Sequence, residues 1–134
     1  MPERKPEPGS PDEWLLYAKS DLALARTDGS PDIMPKMLCF HAQQAAEKAL
    51  KAVLLAENTD FPNTHNLRFL LDKIPSRIKI PSEVEDAALL TDYAVSSRYP
   101  GHLEDITQED YLEALQLAGV VLEWAEMIVE GNDG

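Results

Sequence analysis

The chain has 134 residues, 44% of them apolar, with 24 acidic side chains against 12 basic ones and a formal net charge of −12. That length predicts one domain, and the apolar share argues for a compact fold over disorder. The acidic balance repels polyanions at long range, so DNA binding is not expected, whereas a basic partner protein is easily accommodated.

Cys39 is the single cysteine, which excludes an intrachain disulfide and fits a reducing compartment. No apolar run approaches the roughly 20 residues needed to span a bilayer. The opening "MPERKPEPGSP" lacks the apolar segment of a signal peptide, and a cytoplasmic protein is the default expectation.

Residues 1–10 hold three prolines and four charges and read as a flexible tail. "SPDEW" then reads as a helix start: Ser10 at the N-cap, Pro11 at N1, and Glu13 at N3 closing a capping box. Leu15, Ala18, Leu22 and Ala25 form one helical stripe that ends near Thr27, before "DGSPD". The second helix is predicted from Pro35 to about Glu57. Its stripe of Leu38, Ala42, Ala45, Ala49, Val53 and Ala56 is rich in alanine, which permits close approach of another helix. A short third helix starts near His65, with Thr64 as N-cap, and carries Leu67, Leu70, Leu71 and Ile74 up to Pro75. Ser82 and Glu85 suggest another capping box, opening a fourth helix with Val84, Ala87, Ala88, Thr91, Ala94 and Val95. Pro100 and Gly101 end it near Arg98 and Tyr99. Thr107, with Asp110 at N3, begins a fifth helix along Tyr111, Leu115, Ala118, Leu122, Ala125 and Val129, and Gly131 stops it. No strand is required. The predicted fold is all-α, an up-and-down bundle of four main helices plus one short one, with residues 11–130 forming a single domain.

Polar residues of chemical interest sit in two places. On the second helix, His41, Gln44, Lys48 and Lys51 recur at three and four residues and border the apolar stripe; Gln43 and Glu47 occupy the neighbouring ridge. The structural expectation for His41 is a core or interface histidine with a hydrogen-bond partner; for Lys48, a lysine whose stem lies on apolar surface; for Glu47, a surface residue or ion-pair partner. His65, in the first turn of the third helix, would have its proton affinity lowered by the helix terminus. The second place is "RYPGH". Arg98 falls in a last helical turn, where a cation is favoured, but an arginine, a tyrosine and a histidine so close together can also clamp and protonate a phosphate-bearing substrate. No phosphate-binding glycine loop, zinc-protease motif or serine-hydrolase elbow occurs. Cys39 reads as a structural thiol, and neither a metal site nor a cofactor is expected.

"CFHAQQAAEKALKAVLL", "THNLRFLL" and "LLTDYAVSSRYPG" together resemble HEPN-domain proteins of the small stand-alone bacterial or archaeal type, over about residues 12–130. The resemblance implies an all-helical bundle, frequently a homodimer, often encoded beside a minimal nucleotidyltransferase in a toxin–antitoxin pair. It also implies a nucleotide or RNA ligand. Active members of the family are metal-independent endoribonucleases marked by an arginine and, after four to six intervening residues, a histidine, a spacing longer than the one found here. Carried onto this chain, Arg98 matches the arginine, and His102 follows after the three residues "YPG". This "RYP" form resembles the branch of the family without a defined activity. Two expectations follow. In one, Arg98 and Lys48 contact phosphate, Tyr99 or His41 packs on a base, and the domain works with a nucleotidyltransferase partner. In the other, Arg98 and His102 are the catalytic pair of a ribonuclease toxin.

Overall fold

The computed structural model describes residues 5–27, 30–96 and 106–132. Helix α1 spans Pro11–Ala25, α2 Pro35–Ala56 and α3 Leu67–Lys73; α4, Ser82–Asp86, runs through a 3-10 segment, Ala87–Thr91, into α5, Asp92–Ser96; α6 spans Gln108–Asn132. Among the described residues there is no strand, and the architecture is an all-α, up-and-down helical bundle. None of these helices is long and apolar enough to cross a membrane.

Two helix starts fall where their sequences predict, one with its capping box complete. The Glu13 amide donates to Ser10 Oγ at 3.2 Å, while the Glu13 carboxylate accepts from the Gly9 amide at 2.8 Å, one residue earlier than a capping box requires. At α6 the box is complete. The Asp110 amide donates to Thr107 Oγ1 and the Thr107 amide to Asp110 Oδ2, both at 3.0 Å. The predicted box at Ser82 does not form. Pro81 is the N-cap residue, no side chain caps α4, and Ser82 is already helical. The third helix also starts later than its sequence suggests. Asn66 is its N-cap, accepting from the Phe69 amide at 3.1 Å, and Thr64 instead accepts from the Asn66 amide. His65 therefore precedes the helix rather than lying in its first turn. Gly131 does not stop α6, which continues to Asn132.

Ser10→Ala and Thr107→Ala should each lower stability by about 1 kcal/mol in urea unfolding. Ser82→Ala should stay within about 0.5 kcal/mol of the parent, because no cap is lost. Gly119 lies inside α6, and a Cβ there would meet only Arg26 Nη2, at 3.7 Å. Gly119→Ala should accordingly raise stability by about 0.5–1 kcal/mol through helix propensity.

The centre of the bundle is α2, packed by α1, α3, α5 and α6. Ala42, Ala45, Ala46, Ala49 and Ala52 are fully buried, and such small side chains let neighbouring helices approach closely. Leu50, Val53 and Leu54 complete the core with Leu22 of α1, Leu70 of α3, Leu90 of the 3-10 segment and Val121 of α6. The end of α2 turns on Asn58, whose φ of 54° is left-handed. The Thr59 amide reaches the Leu54 carbonyl at 2.8 Å and the Asn58 amide the Leu55 carbonyl at 3.1 Å, a Schellman closure with asparagine in place of glycine. The far end of α1 is closed from elsewhere in the chain: the buried Tyr111 hydroxyl donates to the Ala25 carbonyl at 2.6 Å.

Candidate functional site

Enclosure of α2 by several helices buries part of its polar ridge as well as its apolar stripe. Gln43, Glu47 and Lys51 are at most 3% exposed, yet no buried side-chain nitrogen or oxygen among the described residues lacks a partner. These groups divide into two clusters, each built on one carboxylate.

The first carboxylate comes from α1. Asp21 is buried beside the Ala18–Leu22 stripe and faces α2. Its Oδ1 lies 3.0 Å from His41 Nδ1, and its Oδ2 accepts from Lys48 Nζ at 2.6 Å. An ionised carboxylate only accepts, so with Asp21 charged against Lys48 the proton sits on His41 Nδ1. Nε2 is then the imidazole atom left for other chemistry. His41 remains about a third exposed, with its ring edge-on to Phe40 at 5.4 Å. Lys48 Nζ also lies 5.8 Å from the centre of the exposed Tyr17 ring.

Glu47 holds the second cluster. Its Oε1 accepts from His65 Nδ1 at 2.7 Å, Gln43 Nε2 at 3.2 Å and Gln44 Nε2 at 3.4 Å, while Oε2 accepts from Lys51 Nζ at 2.9 Å. Gln43 also donates to the His65 carbonyl at 3.1 Å, fixing the loop that carries the histidine. Lys51 Nζ sits 5.5 Å from the Trp14 ring and 5.8 Å from that of Phe61, which themselves meet edge to face. Burial pushes the Glu47 carboxyl up, but hydrogen bonds from Lys51 and His65, the Lys51 charge and Gln43 outweigh it and hold the group below its ordinary range.

His41 and Lys48, singled out from sequence, are thus brought together, through a residue that sequence reasoning missed. Asp21 was legible in principle: it is the one acidic residue of α1 beyond the first turn, and it lies at the edge of the apolar stripe. Glu47 is not a surface residue; it is an ion-pair partner at the centre of a buried network. His65 is set by this carboxylate rather than by a helix terminus. Arg98, Tyr99 and His102 lie outside the described residues. The helix preceding them, α5, packs on α2. Burial, then the fields of Cys39, Asp110, Glu113 and Asp92, push the hydroxyl of Tyr93 on α5 up to about 12.

Cys39 is fully buried, and burial followed by the Asp110 charge pushes its thiol up to about 11. The thiolate is the reactive form, so Ellman's reagent at pH 8 should leave the native protein unlabelled and modify one thiol after unfolding. Among the described residues, no three His, Cys, Asp or Glu side chains are grouped to hold a metal ion.

The all-α bundle is a helical domain of one class. The HEPN domain family model matches residues 11–128, and the chain belongs to that family. Among solved structures, TT1696 from Thermus thermophilus is 32% identical, with a TM-score of 0.77 over 88% of this chain and 97% of that one. ST0689, an archaeal HEPN homologue, is 26% identical, with a TM-score of 0.71 over 90% of this chain and 98% of its own. No match is found among curated proteins.

Proposed function

We propose that this HEPN domain binds RNA or a nucleotide beside the α1–α2 seam that carries Asp21, His41 and Lys48. The observation that carries this reading is the Asp21–His41–Lys48 cluster beside exposed Tyr17. On a chain of charge −12 it gathers a cation, a part-exposed imidazole and an aromatic face. Such groups take a phosphate and a stacked base. Lys48 is already paired with Asp21, so it tunes the site more than it supplies free charge. Arg98 is the main phosphate contact in this reading, with Tyr99 and His41 against the base.

Family membership favours a second reading more directly than simple binding: metal-independent RNA cleavage, as the toxin of a toxin–antitoxin pair, with Arg98 and His102 as the catalytic pair. Cleavage requires a base at the 2′-hydroxyl, an acid at the leaving oxygen and stabilisation of the charged phosphorane. His102 would transfer protons and Arg98 would hold the charge. Either role fits a homodimer in the cytoplasm acting with a nucleotidyltransferase partner.

One experiment separates the two readings. Purified protein is titrated into fluorescein-labelled RNA and into mononucleotides, and the RNA is then run on a denaturing gel with and without chelator. Binding predicts saturable anisotropy, weakened at least tenfold by Arg98→Ala and less by His41→Ala, with intact RNA. Cleavage predicts chelator-resistant products absent from Arg98→Ala and His102→Ala. Equal cleavage by all proteins would mean a contaminating nuclease, and no saturable signal at millimolar ligand would defeat the binding reading.

A further inference from the structure

We infer that the groove between α4 and α6 docks a basic amphipathic helix of a partner protein. The groove encloses about 270 Å³ and is shared by Glu83, Asp86 and Leu89 on one side and Glu113, Leu117 and Val120 on the other. Its lining is mixed, with Leu89, Leu117 and Val120 as the aliphatic part and Gln116 among the polar residues. Leu89 is 67% exposed, and Leu117 and Val120 are half-buried, so the groove presents a step of aliphatic surface open to water. Leu112, also on α6 but outside the groove lining, is 53% exposed. The groove's rim is acidic. Glu83, Asp86 and Glu113 are all exposed, and among the described residues no lysine or arginine lines the groove.

This chemistry selects one kind of occupant. The volume takes one or two aliphatic side chains, not a whole cofactor, which is how a helix anchors in a groove through residues spaced three and four apart. Three carboxylates beside the aliphatic strip of Leu89, Leu117 and Val120 attract lysine or arginine flanking those anchors and disfavour an acidic partner. A second copy of this chain is a poor occupant: a two-fold contact through this face would set the same three carboxylates against their own images, on two chains each of charge −12. The groove shares no residue with the α1–α2 clusters, so the inference holds whatever those clusters bind.

The test uses the full chain and a synthetic, fluorescein-labelled helical peptide of roughly 20 residues, long enough for helix formation. Leucines at three- and four-residue spacing are flanked by lysines. A control of identical composition has the leucines scattered around the helix. Fluorescence anisotropy should show saturable binding of the amphipathic peptide and at least tenfold weaker binding of the control. Leu89→Ser, at a site too exposed to hold the core, should weaken the amphipathic peptide about tenfold. The double variant Glu83→Gln/Glu113→Gln should weaken it three- to tenfold and flatten its salt dependence. Equal affinity for both peptides, or no change in either variant, would reduce the interaction to general attraction between opposite charges and overturn the inference. Sedimentation showing a dimer of the parent that Leu89→Ser dissociates would overturn it too, by assigning the groove to a second copy.

Discussion

Glu47→Ala should destabilise the bundle by about 3–5 kcal/mol, the cost of leaving a buried charge without its partner. The buried Lys51 would lose the carboxylate 2.9 Å away, and His65 and Gln43 would lose an acceptor with it. A domain of this size is stable by only about 5–15 kcal/mol, so the variant should unfold at markedly lower urea. Replacing both charges, as in Glu47→Leu/Lys51→Met, should recover part of the loss, because the apolar pair removes the uncompensated charge rather than creating one. If Glu47→Ala unfolds at the parent's urea midpoint, the network does not hold the fold. The same carboxylate sets an acid limit. Its folded pKa lies below the unfolded value of 4.5, so its contribution is fully present above pH 4.5. That contribution is lost as pH falls through the folded pKa. Parent stability should therefore drop below about pH 4.5, with a shallower drop in the double variant.

Leu50→Ala is the second large effect. Leu50 is fully buried in α2, the helix on which four others pack. The lost transfer energy and the cavity left behind should together cost about 2–5 kcal/mol, because a close-packed core relaxes only partly into the space. Far-ultraviolet circular dichroism in urea would read this as a lower midpoint with an unchanged slope. A cost under about 1 kcal/mol would mean that α2 is not the centre of the core.

Helix number, order and most of the core could be read from the sequence because apolar spacing and caps are local signals. The Thr107–Asp110 box and the Leu15–Ala25 stripe depend on residues a few positions apart, and both appear where their spelling puts them. Ser82 and Glu85 have the same spelling as a box but lack the geometry: Pro81 takes the cap position and starts the helix one residue early. Leu90 escaped the stripe of the fourth helix because the 3-10 turn at Ala87–Thr91 changes the period, so a face drawn at 3.6 residues per turn drifts off it. At the candidate site, His41 and Lys48 announced themselves by position, but the group uniting them did not. Asp21 is 20 residues from one and 27 from the other. His65 meets Glu47 from an irregular loop, where no periodicity indicates which way a side chain faces.

The Tyr111 hydroxyl on the Ala25 carbonyl has a consequence for the order in which the protein is made. The last carbonyls of any helix need partners from outside it, and one of α1's is met by a residue 86 positions later. A chain growing from its N-terminus can form α1 and lay it on α2, with the Leu22, Ala23 and Leu24 carbonyls met locally, but the Ala25 carbonyl gains its Tyr111 partner only once the start of α6 has been synthesised. Domains tend to fold as units during synthesis, and here α6 completes a helix that emerges before it.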